Sequence, residues 1–172
     1  MSSIAKKKEL NHVKKYQLIV FKLEGQEYAL FIDQIKEVVV TPPLTPVPLT
    51  PSYIRGVANV RGEILAMIDL GERFGLKKQD QESTLKKWSF TLVIADEEKK
   101  MGLLVEELPQ TLNVLETDMI QPSLIYQTEE EKNYIQSIVR LQTKENTQRL
   151  IIVIDLNKII LKEEVNTTIN SL

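Results

Sequence analysis

GVANVRGEIL, residues 56–65, sets one Arg-Gly step between two apolar runs. Val57, Ala58 and Val60 lead in, and Ile64, Leu65, Met67 and Ile68 lead out. Two β-rich runs parted by two residues, the second a glycine, spell a hairpin that reverses at Arg61-Gly62. Arg61 stands at its tip, either as a polar turn residue or as the working part of a surface.

The same grammar extends outward. YQLIVFKL (16–23) reads as a strand, EGQE as a turn and YALFI (28–32) as the partner strand. Asp33 is expected to cap one helical turn carrying Ile35 and Val38 or Val39 on one side. TPPLTPVPLTP (41–51) holds five of the seven prolines, which excludes a central strand or a helix interior and leaves a stiff extended loop. PLTP occurs there twice, at 43–46 and 48–51, with the P-x-x-P spacing of groove ligands; a structural loop is the commoner use of that spacing. Beyond the Arg61 hairpin, Asp69 is placed to cap a short helix, LGERF, stopped by Gly75. WSFTLVIA and MGLLVEEL flank DEEKK as a third hairpin. Short strands at this spacing favour a β-barrel or sandwich over alternating β-α units.

The chain also echoes itself. YIRGV from Tyr53 resembles YIQSI from Tyr134, and MIDLGERF (67–74) resembles VIDLNKII (153–160). A repeat of about 70 to 85 residues is too long for a solenoid and fits two related barrels. The boundaries drawn from this are a basic tail at 1–15, a first repeat at about 16–76, a second at about 88–161, and a C-terminal tail at 162–172.

Composition narrows the function. The 172 residues are 42% apolar, enough for a core, and the formal net charge is −2. Nucleic-acid binding rests on a positive surface, and no folded segment here is strongly basic. There is no cysteine, which excludes disulfides, iron–sulfur clusters and thiol catalysis and fits a reducing cytoplasm. No apolar run approaches the roughly 20 residues that span a bilayer, and the start lacks the apolar core of a signal peptide. A cytoplasmic protein without membrane insertion is expected.

Catalytic groups are scarce. The single histidine, His12, lies in the tail, so neither a metal site nor a His-based nucleophile is supported. No phosphate-binding glycine motif is present, and no cofactor is expected. Glu106 and Glu107 are neighbours on a strand and point to opposite faces. Glu129, Glu130 and Glu131 read as a solvated charge run, and Asp69 and Asp155 as helix caps. A small barrel enzyme using carboxylates is the weakest reading. What remains is surface: four of six glycines, Gly56, Gly62, Gly71 and Gly75, lie within twenty residues of Arg61.

YQLIVFKLEGQEYALFIDQIKEVV, VPLTPSYIRGVANVRGEILAMIDLGERFG, MGLLVEEL, YIQSIV and LIIVIDLNKII follow one another in a recognisable order. Together they resemble CheW, the coupling-protein family of bacterial chemotaxis, over residues 16–161. The most specific parts are Y-I-x-G-V-x-N-x-R-G and I-D-L. The resemblance implies a mostly β fold of two intertwined five-stranded, Src-homology-3-like barrels with short helices. It implies a non-enzymatic adaptor between a chemoreceptor's cytoplasmic tip and the regulatory domain of a chemotaxis histidine kinase, within receptor arrays at the inner membrane. A scaffold in a gliding, pilus or second-messenger pathway is the alternative. By the same resemblance Ile35, Glu37, Val38, Gly56, Val57, Asn59, Arg61 and Gly62 face the receptor. The kinase is assigned an apolar edge, Val39, Val40, Leu44 and Val47. Three positions depart from the family pattern: Ser137 for glycine, Glu106 for aspartate, and Pro109.

Overall fold

The computed structural model describes residues 13–76, 88–124, 134–160 and 162–172. Its strands are β1 Lys15–Leu23, β2 Gln26–Phe31, β3 Ile35–Val40, β4 Ile54–Val60, β5 Glu63–Ile68, β6 Phe90–Ile94, β7 Met101–Val105, β8 Gln110–Leu115, β9 Met119–Ile120, β10 Ile135–Gln142 and β11 Gln148–Ile154. Three α-helices, α1 Leu70–Arg73, α2 Leu156–Ile159 and α3 Lys162–Asn170, and 3-10 turns such as Ile32–Gln34 complete the described chain.

The strands form two sheets, ordered β8-β1-β2-β11-β10-β9 and β3-β6-β7-β5-β4. Neither sheet belongs to one half of the sequence. The β1–β2 hairpin joins strands of the second half, with β2 parallel to β11. The β6–β7 hairpin joins strands of the first half, with β7 parallel to β5. A parallel pair cannot be closed by a tight turn, so each one marks a crossing between halves. This is the intertwining expected of the fold. The strand count differs: six and five, because two-residue β9 adds to the first sheet by pairing Ile120 with Ile138 and Met119 with Val139.

Period-two alternation explains the packing. On β1, Ile19, Phe21 and Leu23 enter one cluster while Leu18 and Val20 enter another. On β5, Ala66 and Ile68 enter the shared cluster while Leu65 and Met67 enter a third. Each sheet therefore has its own small core, and both press their other faces into a large common one. Strands buried on both faces read as continuous apolar runs, as these do. A bidentate ion pair fixes the β2–β11 crossing: Arg149 Nε and Nη2 donate to Glu27 at 2.8 and 2.7 Å. Arg149 holds the Glu27 carboxyl below its ordinary pKa against the opposing effect of burial.

Several local expectations need correction. Residues 35–40 form strand β3 and not a helical turn, because three consecutive valines follow and the segment ladders against β6. Asp33 lies inside the preceding 3-10 turn and does not cap a helix. The first turn is only Glu24-Gly25, so β2 starts at Gln26. Lys15 already pairs with Leu115, inside what was expected to be tail; Met1–His12 lie outside the described residues, as do Glu129, Glu130 and Glu131. The expected C-terminal tail contains helix α3, which buries Val165 and Thr168. Asp69 and Asp155 do cap α1 and α2, accepting from the Glu72 and Asn157 N–H groups at 3.1 Å each.

Candidate functional site

The Arg61 hairpin has the expected register, with Val60 opposite Glu63. Arg61 and Gly62 have φ of 51° and 87°, the two positive values of a type I′ turn, whose twist matches that of the flanking strands. The Gly62 N–H donates to Asn59 Oδ1 at 2.9 Å, which pins the turn. Arg61 Nε donates to Glu37 Oε2 at 2.8 Å, yet 75% of the arginine side chain stays exposed. Lys36 and Glu63 add a second ion pair at 3.8 Å. Both join β3 to the β4–β5 hairpin, the two edges of the second sheet. Exposed pairs of this kind contribute little stability, about 0–1 kcal/mol each, so their weight is positional.

Of the receptor-facing candidates, Glu37, Asn59, Arg61 and Gly62 meet at this junction, and Ile35 and Val38 lie along β3 on either side of Glu37. Ile35 packs against the common core, and Val38 is 38% exposed. Gly56 and Val57 are buried and do not share that surface. Their work is internal. Val57 exchanges both backbone hydrogen bonds with Thr45 of the proline loop, each 2.8 Å, so the loop continues the sheet past β4. Gly56 has φ +142°, and a Cβ there would lie 2.4 Å from the Thr45 carbonyl oxygen. Only glycine fits. Ser137 occupies the equivalent place on β10, beside the same kind of register shift, without a positive φ.

The kinase-facing candidates divide similarly. Val39 and Leu44 pack with Trp88 on the core of the second sheet, whereas Val40 is 75% exposed. Val47 is half-buried beside a groove of about 650 Å³ between the proline loop and α3. Sequence reasoning missed the most prominent residue of this region, Leu49. It has φ 60° directly after Pro48, a turn pattern that favours glycine or asparagine, and its side chain is fully exposed. Among the described residues the other non-glycine positive φ values belong to Glu24, Arg61 and Asn146, all polar and all in strand-connecting turns. A leucine in this conformation costs about 1 kcal/mol and gains no burial. One signal was available: from Val38 to Ile54 there is no charged residue, in a chain that is 27% charged.

Of the carboxylate clusters considered for catalysis, Glu106 and Glu107 lie among the described residues. Glu106 and Glu107 are exposed at the end of β7, and Glu107 reaches Lys22 at 3.7 Å. Among the described residues no three His, Cys, Asp or Glu side chains converge on a point, and no helix is long and apolar enough to cross a membrane.

Two interlocked β-sheets carrying one charged turn and one uncharged loop define a β-rich interaction domain. The chain belongs to the CheW-like domain family, whose model matches residues 17–164. It is 28% identical to the chemotaxis protein CheW of Treponema pallidum over 155 residues, 90% of this chain and 88% of that one. It is also similar to protein PilI of Pseudomonas aeruginosa, 30% identical over 96 residues, 56% of this chain and 52% of that one. Among solved structures it resembles the scaffolding protein TtCheW of Thermoanaerobacter tengcongensis, with a TM-score of 0.65 and 28% identity, covering 84% of this chain and 87% of the other.

Proposed function

We propose that this chain is a non-enzymatic cytoplasmic adaptor that couples the cytoplasmic tips of chemoreceptors to the regulatory domain of a chemotaxis histidine kinase. The observation that carries the reading is the presence of two exposed surfaces of opposite chemistry on one sheet. The charged one, Arg61 and Glu37 with Asn59, Gly62, Ile35 and Val38, is assigned to the receptor. An arginine at a pinned turn offers several planar donors and loses little freedom on binding. The uncharged one, Val40 at the end of β3 with Val47 and Leu49 of the proline loop, is assigned to the kinase, while Val39 and Leu44 anchor this stretch on the core of the second sheet. Its prolines keep it rigid, which lowers the ordering cost of an apolar contact. Gly56 and Val57 serve both by joining loop to hairpin.

Calorimetric titration of the protein with a receptor-tip fragment and with a kinase regulatory domain, separately and then together, tests this. The expected result is two independent sites and a ternary complex. Competition between the two ligands for one site contradicts it. The similarity to PilI supports a second wiring of the same scaffold, in which the receptor-like partner governs pili; the receptor and kinase encoded beside this gene are the ligands to compare.

A further inference from the structure

The internal repeat has a geometric consequence at Arg73. The segments MIDLGERF and VIDLNKII align Asp69 with Asp155, and so align Arg73, the last residue of α1, with Ile159, the last of α2. These two equivalent positions touch: Arg73 Nε donates to the Ile159 carbonyl at 2.9 Å. Equivalent residues of a twofold repeat meet only at its axis. The guanidinium carbon also lies 5.1 Å from the Tyr53 ring and 5.9 Å from the Tyr134 ring, themselves equivalent positions. Phe74, next in sequence, stacks on Tyr28 at 5.7 Å and meets Tyr134 at 6.3 Å. One cation therefore occupies the pseudo-axis, over two related rings and on an end-of-helix carbonyl that needs a donor. Glu164 of α3 approaches from outside, and burial together with that carboxylate drives the Tyr53 hydroxyl above the ordinary tyrosine range.

We infer that Arg73 is a positioning residue that fixes the angle between the two sheets. The common apolar core attracts the sheets without directing them, since burial is non-directional. A flat guanidinium over two rings, with a fixed donor to a third group, has one preferred geometry. The angle matters where the chain crosses between sheets, from β2 through the Ile32–Gln34 turn into β3. That crossing borders a polar cleft of about 800 Å³ whose lining includes Asp33, Gln34, Ser137 and Asp155, and it leads directly into Ile35 and Glu37. The proline loop joins β3 to β4, runs directly into Tyr53, and lines its groove together with α3. Loosening the axis should therefore disturb the receptor-facing segment and the proline loop alike, a consequence that rests on the function proposed above.

The absence of cysteine makes the test direct. Spin labels at Lys100→Cys, at the entry to β7 of the second sheet, and Arg140→Cys on β10 of the first report the inter-sheet distance, in the full chain with Arg73, Arg73→Lys or Arg73→Gln. The wild-type pair should give one narrow distribution. Arg73→Gln should broaden it and weaken binding of the receptor tip and of the kinase domain about five- to tenfold each. Arg73→Lys, which keeps charge and a donor but not the flat stacking, should fall between. An unchanged distance distribution in folded Arg73→Gln overturns the inference, as does wild-type binding of both partners. If Arg73→Gln does not fold, a wild-type distribution in Arg73→Lys overturns it equally. If the wild-type protein binds neither partner, the functional reading fails, while the label distances still decide the role of Arg73.

Discussion

Arg61 and Leu49 both sit at positive φ on the second sheet and both hold their side chains in solvent, but for different reasons. Arg61 heads a two-residue hairpin whose twist demands positive φ, and Glu24 heads an equivalent turn before Gly25. Its conformation is therefore ordinary; what sets it apart is the Glu37 contact and the donors left facing water. Leu49 has no such excuse. A polar residue or glycine would suit its turn better, and an apolar side chain gains nothing by full exposure in the isolated protein. The fold thus accounts for the positive φ at Arg61 and not at Leu49, which is why the proposed kinase contact includes Leu49.

The largest expected effect removes the link between the two regions. Gly56→Ala forces a Cβ toward the Thr45 carbonyl at an unfavourable φ, and should cost about 3 kcal/mol or more in urea denaturation. Ser137→Gly, its counterpart in the other repeat, should cost no more than about 1 kcal/mol. Equal costs would show that the proline loop does not lock onto β4 as described. Next, Arg61→Glu places a carboxylate beside Glu37. Receptor-tip affinity should fall about ten- to a hundredfold, with folding stability changed by no more than about 1 kcal/mol. A loss of stability matching the loss of binding would make Arg61 a structural residue.

Leu49→Asn should have the opposite sign in folding and binding. The protein gains about 0.5–1 kcal/mol as asparagine accepts the positive φ, while kinase-domain affinity falls about tenfold. Trp88, the only tryptophan, packs on the same small core as Leu44 of this loop and offers a fluorescence readout of occupancy. The smallest effect lies away from both surfaces. Glu27 is held below the ordinary carboxylate pKa by Arg149, so its stabilisation is present above the unfolded value of about 4.3 and is lost as pH falls through the lowered folded value. Glu27→Gln should therefore cost about 0.5–1 kcal/mol at pH 7 and flatten the acid limb of the stability curve, leaving both titrations unchanged.

Much of this was legible in the sequence. The Arg61 turn, the third hairpin and both Asp caps follow from alternation, glycine placement and local side-chain chemistry. Strand β3 was misread because IKEVVV satisfies helical spacing as well as alternation, and only its ladder with β6 settles the choice. Helix α3 hid because few of its residues are apolar, with Val165 and Ile169 supplying its contact with the core. Gly56 and Val57 carry the family motif yet face inward, because a short motif contains the residues that build a site together with those that present it. Leu49 was overlooked because no local rule favours leucine there.

If two chemically distinct surfaces serve two partners, a crossed calorimetric titration separates them. Arg61→Glu and Leu49→Asn are each titrated with a receptor-tip fragment and with a kinase regulatory domain. Arg61→Glu should weaken binding of the receptor fragment alone and Leu49→Asn that of the kinase domain alone, each about tenfold or more. If both variants lose the same partner, or each loses both, the division between charged turn and uncharged loop is contradicted.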